Sequence, residues 1–490
     1  MVEILAMLYL AVPGVLFALG WLRPVAAAVV ALPLAAGTAD FIRQAAAERK
    51  NLLFRNRRDA CKLAWMLALV LLWVLLAGVG GFVWQNPWDH KFRNAVFQDL
   101  VNRPWPVRQD GLGLCYYLGY WIPSALVGKA FGLEAGYAFQ VFWAVLGISL
   151  AGLLIFRWLG RVSWKAFGVL VFFSGLDVVV FGLFTLQTAQ NPLYSFCGNL
   201  FRGVHMELLT EYFNASSNTT LLFWLYNQII PFWVGMMLLL TRKNNRSAVL
   251  VFGLMLFYCP FPCVALVPVM VYWMLLEGEK RITLSGLWRR FRQAFTLCNL
   301  SVVPFALTIA LYYASNIARG RLGFLPLNGA VVGRFILFFL CEFGVYLLFV
   351  YRDNRRNPLL YLLGAVTAAC SFVVMGDSYD FAWRTCIPFT FYLMLLVMKQ
   401  VEGMNWRRPR GALLALVLLL GAVTPATEML RTVHGELAVL GGQENARSDA
   451  LPTAFQQEDN ECYGNFMGDG NSFFFRYLAA QDREESIQKD

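Results

Sequence analysis

The sequence consists mainly of apolar blocks of about 17 to 24 residues, separated by short polar stretches. An α-helix needs about 20 apolar residues to cross a hydrocarbon core of roughly 30 Å, so each block has the length of a transmembrane helix. Strands of a membrane β-barrel alternate apolar and polar residues, and these blocks do not. The blocks therefore predict an all-α polytopic membrane protein. The composition, 59% hydrophobic and 14% charged, excludes the common classes of soluble protein.

The positive charge of the chain indicates its orientation in the membrane. The net charge is +11, but the Lys and Arg residues are divided among short clusters between the apolar blocks. They do not form the single basic face that a nucleic-acid partner requires. The positive-inside rule places such clusters in the cytoplasm. They lie at residues 43–62, 157–165, 242–246, 280–292, 352–356 and 399–410.

Placing all of these clusters on the cytoplasmic side predicts a cytoplasmic N-terminus and an extracytoplasmic C-terminus. We predict a transmembrane domain over residues 1–428, with its catalytic outer loop at 85–134, and a small extracytoplasmic tail over 429–490. The other predicted outer segments lie at 187–219, 315–329 and 376–384.

Two apolar regions fit this orientation only if they depart from a simple span. If residues 112–131 crossed the membrane, the basic cluster at 157–165 would lie outside, so we predict an interfacial or re-entrant element. Residues 247–277 have basic residues on both flanks, which predicts a hairpin of two short helices broken at Pro260 and Pro262. The predicted architecture then has about thirteen transmembrane helices, with interfacial helices on the outer face.

The first outer loop contains a candidate catalytic acid, Asp89. We predict an amphipathic interfacial helix with Asp89 at its N-terminus and Asp99 near its end. A carboxylate near the positive end of a helix dipole stays ionised and can accept a proton from a hydroxyl. The alternative is that Asp89 only caps the helix. The apolar positions of this helix recur every fourth residue, at Trp88, Phe92, Val96 and Leu100.

The second candidate is Arg384, at the outer mouth of a late apolar block and close to Asp377 and Asp380. An arginine at an outer position departs from the positive-inside pattern. Its planar fork matches phosphate oxygens, which favours a phosphate-bearing lipid as its partner. The alternative is a structural ion pair between Asp380 and Arg384, which are one helical turn apart.

Other polar residues give weaker indications. Arg319 and Arg321 are predicted either to bind a second phosphate or to meet lipid headgroups. His205 and Glu207 are either metal ligands or ordinary loop residues, since two ligands without a third rarely hold a metal. Inside a span, Asn227 and Gln228 either line a cavity or form hydrogen bonds between helices.

These features together resemble the integral-membrane glycosyltransferases of the GT-C superfamily, which includes protein O-mannosyltransferases and lipid A aminoarabinose transferases. The similarity is to poorly characterised bacterial members, covers most of the chain and implies a GT-C-like fold in the inner membrane. The stretches that carry it are Trp88-Asp89 through Asp99-Leu100 with Trp105-Pro106-Val107, Tyr116-Tyr117 leading into residues 123–129, and Asp380-Phe381 with Arg384 before Ile387-Pro388.

The resemblance implies that a sugar moves from a polyprenyl-phosphate donor to a hydroxyl acceptor on a glycan, lipid or protein. Asp89 is then the general base, with Asp99 as a further acid in the same helix. Arg384 holds the lipid phosphate, with Arg319 and Arg321 as candidates for the same task. The resemblance implies no organic cofactor. His90 follows Asp89 where many members carry a second acid, so the use of a divalent metal remains open. The supporting residues are His90, Lys91, His205, Glu207, Asp377 and Asp380.

A second class of function fits the same chain. A transporter or flippase of lipid-linked or polar solutes needs ionisable residues or broken helices near the middle of the membrane. The sequence places most of its polar candidates in outer loops and at outer helix ends, which favours the transferase. A polysaccharide polymerase or ligase would share the outer site. A family member without catalysis would serve as an assembly scaffold.

Overall fold

The computed structural model of the chain describes residues 1–48, 57–207, 211–278, 282–318, 320, 322–376, 378–443, 445, 447, 453–456 and 463–481. Three predicted site residues, Arg319, Arg321 and Asp377, lie outside the described residues. The described part of the chain is mainly helical and contains almost no β-sheet, as the apolar blocks predict.

The helices of the described part of the chain are α1 (Val2–Trp21), α2 (Pro24–Ala47), α3 (Arg57–Leu76), α4 (Pro87–Asn102), α5 (Ile122–Phe131), α6 (Leu133–Leu159), α7 (Trp164–Phe172), α8 (Asp177–Thr188), α9 (Pro192–Phe201), α10 (Asn218–Arg242), α11 (Ala248–Met255), α12 (Pro260–Leu275), α13 (Leu284–Gln293), α14 (Leu297–Ser301), α15 (Val303–Ala314), α16 (Gly329–Phe339), α17 (Val345–Asn354), α18 (Pro358–Cys370), α19 (Asp380–Thr385), α20 (Ile387–Gly403), α21 (Pro409–Gly421) and α22 (Val423–Leu440). A π-helical turn, Leu340–Gly344, joins α16 to α17.

Two small antiparallel sheets accompany the helices. In the first, β2 (Leu112–Leu114) lies between β1 (Arg108–Gln109) and β5 (Met467–Asp469), with Leu114 opposite Met467. In the second, β3 (Leu322–Phe324) pairs with β4 (Val373–Met375). The first sheet ties the segment after α4 to the C-terminal part of the chain.

Among the described residues, ten helical segments are long and apolar enough to cross a membrane. The protein is therefore an all-α polytopic membrane protein. The segments Asn218–Arg242 and Asp380–Gly403 are the most completely buried and form the centre of the bundle. The others are Val2–Trp21, Pro24–Ala47, Arg57–Leu76, Leu133–Leu159, Trp164–Thr188, Leu297–Ala314, Gly329–Asn354 and Pro409–Leu440.

The two regions predicted to depart from a simple span do so. Residues 112–131 divide into β2, a 3₁₀ turn at Leu118–Tyr120 and the ten-residue helix α5, which is too short to cross a bilayer. In the stretch 247–277, α11 ends at Met255 and α12 begins at Pro260. Proline is favoured in the first turn of a helix, where no backbone hydrogen bond is lost.

Contacts between the predicted basic clusters place them at one end of the bundle. Near the N-terminus, the Glu3 carboxylate is 2.9 Å from the Arg242 guanidinium and 3.7 Å from that of Arg157. Arg242 is also 2.8 Å from the Glu48 carboxylate. The Asn245 side chain, beside Arg242 in the chain, donates a hydrogen bond of 3.1 Å to the backbone oxygen of Arg290.

The remaining clusters are connected in the same way. Arg161 forms an ion pair with Glu402, and the Lys165 ammonium lies 5.5 Å from the centre of the Trp406 ring. Arg410 donates to the backbone oxygen of Phe349 at 2.6 Å, close to the cluster at 352–356. The described parts of all the clusters therefore share one end, as the orientation from charge requires.

The opposite end of the bundle holds α4, β2 and the C-terminal segment. Helix α1 has 20 residues and is thus about 30 Å long, and its last residue, Trp21, packs 5.2 Å from the Trp105 ring after α4. In the tail, Phe474 and Phe475 are buried. The Arg23 side chain donates to the backbone oxygen of Ala479 at 3.1 Å. Helix α22 runs through position 428–429, the predicted start of the tail, and ends at Leu440.

Candidate functional site

Asp89 lies in the first turn of α4, but it does not cap the helix. The Asn86 side-chain oxygen accepts a hydrogen bond of 3.0 Å from the backbone N–H of Trp88, so Asn86 is the cap. Asp89 instead forms an ion pair with Arg93 one turn later, with a distance of 3.0 Å between the carboxylate and the guanidinium. The Asp89 side chain is 42% exposed and Arg93 only 4%. The carboxylate is therefore accessible, while its partner is held inside the protein.

Helix α4 exists where it was predicted, but its buried face differs from the predicted apolar stripe. Val96 and Leu100 are fully buried, whereas Trp88 is 77% exposed. The buried face also includes polar residues, among them Arg93 and Asn94. The difference arises because α4 packs against α5 and α6, so that part of its polar side is enclosed by protein.

Arg384 lies in the short helix α19, at the start of a central span. Its guanidinium is 3.0 Å from the Asp380 carboxylate, so the predicted ion pair one turn apart is confirmed. The other terminal nitrogen donates to the side-chain oxygen of Gln228, on α10, at 3.4 Å. Asp380 is 43% exposed and Arg384 13%. This pair repeats the arrangement of Asp89 and Arg93, with an accessible acid and an enclosed arginine.

Both Asp–Arg pairs lie close enough to Tyr116, which follows β2, for their charges to act on it. The charges of Asp380 and Arg384 also act on Tyr117. The charges of both arginines and both aspartates act on the Tyr116 hydroxyl, and the charge of Asp89 also acts on Arg384. The two tyrosine rings lie 4.7 Å apart. Burial raises the pKa of both hydroxyls, so both stay protonated at neutral pH and can donate hydrogen bonds. Residues from distant parts of the chain thus form one cluster.

This cluster contains buried hydrogen-bond donors with unused capacity. Among the described residues, one terminal nitrogen of Arg93 and the side-chain nitrogen of Gln228 have no hydrogen-bond partner. The Arg93 guanidinium lies 5.7 Å from the centre of the Tyr226 ring. Buried hydrogen-bond donors normally have a partner. The unused donors of Arg93 and Gln228 therefore suit a ligand with several acceptor oxygens.

The two residues that follow Asp89, His90 and Lys91, lie in different surroundings. His90 is buried, and its Nε2 is 2.9 Å from the backbone oxygen of Phe223. Burial and the neighbouring charge of Arg93 lower the pKa of His90 to about 3, so the ring is neutral at pH 7 and a weak base. The Lys91 ammonium lies 5.1 Å from the centre of the Phe92 ring.

Asp99 is separate from Asp89 and connects α4 to the tail. It lies ten residues after Asp89, about 15 Å along the helix, and is 2% exposed. Its carboxylate accepts hydrogen bonds from Arg103 at 2.8 Å, from the backbone N–H of Ala454 at 2.8 Å and from the Thr453 hydroxyl at 3.0 Å. This geometry indicates that Asp99 holds the tail against α4.

His205 and Glu207 belong to another cluster. The His205 ring nitrogen Nδ1 lies 2.8 Å from the Glu428 carboxylate. Glu207 accepts hydrogen bonds from the backbone N–H of Ser217 at 3.0 Å and from the Thr220 hydroxyl at 2.6 Å. In the part of the chain that the structure describes, no three His, Cys, Asp or Glu residues are arranged to hold a metal ion. A cavity lined by Asn86 and His90 on one side and by Glu428 and Arg431 on the other lies between this cluster and α4.

Sequence reasoning missed Arg93 as a member of the site. A signal was present in the spacing, since Asp89 and Arg93 are separated by three residues, as are Asp380 and Arg384. At that spacing two side chains share one face of a helix and can pair. The convergence of the two pairs on Tyr116 depends on tertiary packing, which the spacing alone does not contain.

The chain matches no protein-family model, and no curated protein or solved structure is significantly similar to it.

Replacing Asp99 tests its assignment to tail docking. Asp99→Ala removes the acceptor for Thr453 and Ala454 and the ion-pair partner of Arg103. We expect a loss of about 2 kcal/mol in stability, seen as a lower thermal midpoint in detergent and faster proteolysis of the tail. The exposed Asp110, replaced by Asn, serves as the control, because Asn tolerates the left-handed backbone at this position (φ 51°). Wild-type stability combined with lost turnover would instead assign Asp99 to catalysis.

Proposed function

We propose that the protein is a GT-C-type membrane glycosyltransferase, which moves a sugar from a polyprenyl-phosphate donor to a hydroxyl acceptor on the extracytoplasmic face. The observation that supports this most directly is the convergence of two Asp–Arg pairs around Tyr116 and Tyr117. The pairs combine an accessible carboxylate with enclosed cations, and a transfer from a phosphate leaving group requires both.

The proposed orientation follows from the shared end of the basic clusters. By the positive-inside rule this end faces the cytoplasm, together with the N-terminus, and the candidate site and the C-terminus face outward. In a bacterial cell this corresponds to the inner membrane. The predicted count of about thirteen membrane helices is reached by adding three shorter helices to the ten long segments. These are α18 and the two helices of the α11–α12 hairpin, which enters the membrane and returns to the same side.

Asp89 is the proposed general base. Its carboxylate lies 3.0 Å from the Arg93 guanidinium, and its exposed side chain is within reach of an incoming hydroxyl. As the acceptor oxygen attacks the anomeric carbon, the hydroxyl proton moves to the Asp89 carboxylate. The bond between the anomeric carbon and the phosphate oxygen breaks, and the phosphate leaves with the bonding electrons.

Arg384 is proposed to bind the phosphate as its charge grows during this step. Its ion-pair partner Asp380 is 43% exposed, so water can solvate Asp380 when a phosphate replaces it. Arg93 and Gln228 offer the remaining donors from the facing side. Arg319 and Arg321 remain predictions for a second phosphate contact.

The second candidate function is a transporter or flippase. The observation that favours it is the presence of Asp177 and Glu342, both buried, within candidate spans. Ionisable residues inside a membrane often mark ion or proton pathways. A transporter would move a lipid-linked solute without releasing free polyprenyl phosphate, which separates the two functions experimentally.

Asp89→Asn is expected to lower turnover about 10²- to 10⁴-fold, because the amide cannot accept the proton. The assay measures release of free polyprenyl phosphate from a panel of polyprenyl-phosphate sugars by purified protein in nanodiscs, with and without a metal chelator. Asp110→Asn, the same change at an exposed position, is expected to keep wild-type turnover. Turnover by Asp89→Asn equal to the wild type would contradict the base assignment.

Arg384→Ala is expected to weaken binding of polyprenyl phosphate at least tenfold, because Gln228 carries no charge and the charge of Arg93 is already paired with Asp89. Binding is measured directly, together with the thermal midpoint of unfolding. In a purely structural pair, the loss would appear as lower stability, rescued in part by adding Asp380→Asn. Unchanged phosphate binding with such a rescue would contradict the proposed role.

A further inference from the structure

A second cluster of buried ionisable residues lies where three candidate spans lose regular helical form. The span Trp164–Thr188 is interrupted at residues 173–176, between α7 and α8. The π-helical turn Leu340–Gly344 interrupts the span Gly329–Asn354, and the span Pro409–Leu440 divides at Ala422. Irregular backbone within a span is tolerated where protein encloses it, and π turns are frequent at functional sites.

Two carboxyl groups meet at this point. Asp177, the first residue of α8, and Glu342, in the π turn, are each 7% exposed and lie within hydrogen-bonding reach of each other. The Glu342 carboxyl lies directly over the backbone of Gly175, where a Cβ atom would be 2.1 Å from its oxygen. Any side chain at position 175 would therefore displace Glu342.

The hydrogen bonds around Asp177 favour Glu342 as the group that carries a proton. The hydroxyls of Ser174 and Thr424 donate to the same Asp177 oxygen, at 3.0 and 3.1 Å. These two donors stabilise a negative charge on Asp177. Two buried carboxyl groups cannot both be ionised while they stay in contact. We therefore assign the shared proton to Glu342, which donates it to Asp177.

Glu207 supplies an independent indication that this cluster exchanges a proton. It is 3% exposed, and its oxygen Oε1 accepts hydrogen bonds from Ser217 and Thr220. Its other oxygen, Oε2, is buried and has no partner among the described residues. The charge of Glu207 acts on both Asp177 and Glu342. Burial raises the pKa of Glu207 to about 7, with the charges of Asp177 and Glu428 adding to the rise and that of His205 opposing it.

His205 connects this cluster to the surface. Its side chain is 21% exposed, and its charge acts on both Glu207 and Asp177. Burial lowers the pKa of His205, but the hydrogen bond to Glu428 and the charges of Glu207 and Glu428 outweigh it, so the net pKa is raised. Arg431 forms two hydrogen bonds with Glu428, at 2.9 and 2.8 Å, so its charge is engaged there. The other titratable groups facing the pair are Cys341, Tyr346 and Cys386.

We propose that Asp177 and Glu342 form a buried proton-binding site, which exchanges its proton with the surface through Glu207 and His205. On unloading, the proton leaves Glu342 for the free oxygen of Glu207 and then passes to His205 or water. Asp177 and Glu342 then both carry a negative charge, and their repulsion separates α8 from the π turn. Proton binding is thereby coupled to the packing of the interrupted spans. The site is separate from the Asp89–Arg384 cluster and does not depend on the proposed glycosyl transfer.

Infrared difference spectroscopy of the protein in nanodiscs tests this proposal, since a protonated carboxyl group has a carbonyl band that a carboxylate lacks. We expect the wild type to show this band at neutral pH, to shift it in D₂O and to lose it at high pH. Glu342→Gln keeps a hydrogen-bond donor to Asp177 and is expected to lose the part of the band that Glu342 contributes, while Glu207, with a pKa of about 7, keeps its own part. Glu134→Gln, the same change at a side chain that is 73% exposed, is the matched control and is expected to keep it.

The wild-type spectrum alone can overturn the proposal, whether or not the variant folds. Absence of the band at neutral pH would show that no buried carboxyl group is protonated. A band of undiminished wild-type intensity in folded Glu342→Gln would assign the proton elsewhere. Loss of the wild-type band on adding Na⁺ at constant pH would identify a sodium site in place of a proton site.

Discussion

A charged side chain is costly in the hydrocarbon core of a membrane, and the arrangement of this protein follows from that cost. The basic clusters gather at one end of the bundle, where Glu3 and Glu402 pair with their arginines. The paired acids and arginines of the candidate site lie at the other end. Between the two ends, Asp177 and Glu342 are buried, and the proton that we propose they share would neutralise part of their charge.

The same cost explains how the candidate site is built. Arg93 and Arg384 are enclosed, and each is neutralised by an aspartate one helical turn away. Burying an unpaired arginine would be strongly unfavourable, so the aspartates keep both cations stable. In the proposed transfer, a phosphate takes over the role of these partly exposed aspartates.

The sequence predicts the features that depend on local composition. Block length predicts the spans, the charge pattern predicts which clusters share an end, and Pro260 marks the break between α11 and α12. The spacing of Asp380 and Arg384 predicts their ion pair. All of these follow from residues that are neighbours in the chain or on one helix.

The features that the sequence leaves open depend on tertiary packing. The pairing of β2 with β5 joins segments from opposite halves of the chain. The block at 164–188 is continuous in hydropathy, so its interruption beside Glu342 is not apparent from composition. The cap of α4 is Asn86 and not Asp89. The sequence does not distinguish the two, because Asn and Asp are both good caps and only the backbone geometry decides between them.

The most direct test of the account is a structure by electron cryomicroscopy with polyprenyl phosphate bound. We expect phosphate density beside Tyr116 and Tyr117, with phosphate oxygens within about 3 Å of the Arg384 and Arg93 guanidinium groups. We also expect the Asp89 carboxylate to face the same space. Density for the phosphate at the opposite, basic end of the bundle, with none between Arg93 and Arg384, would contradict the account.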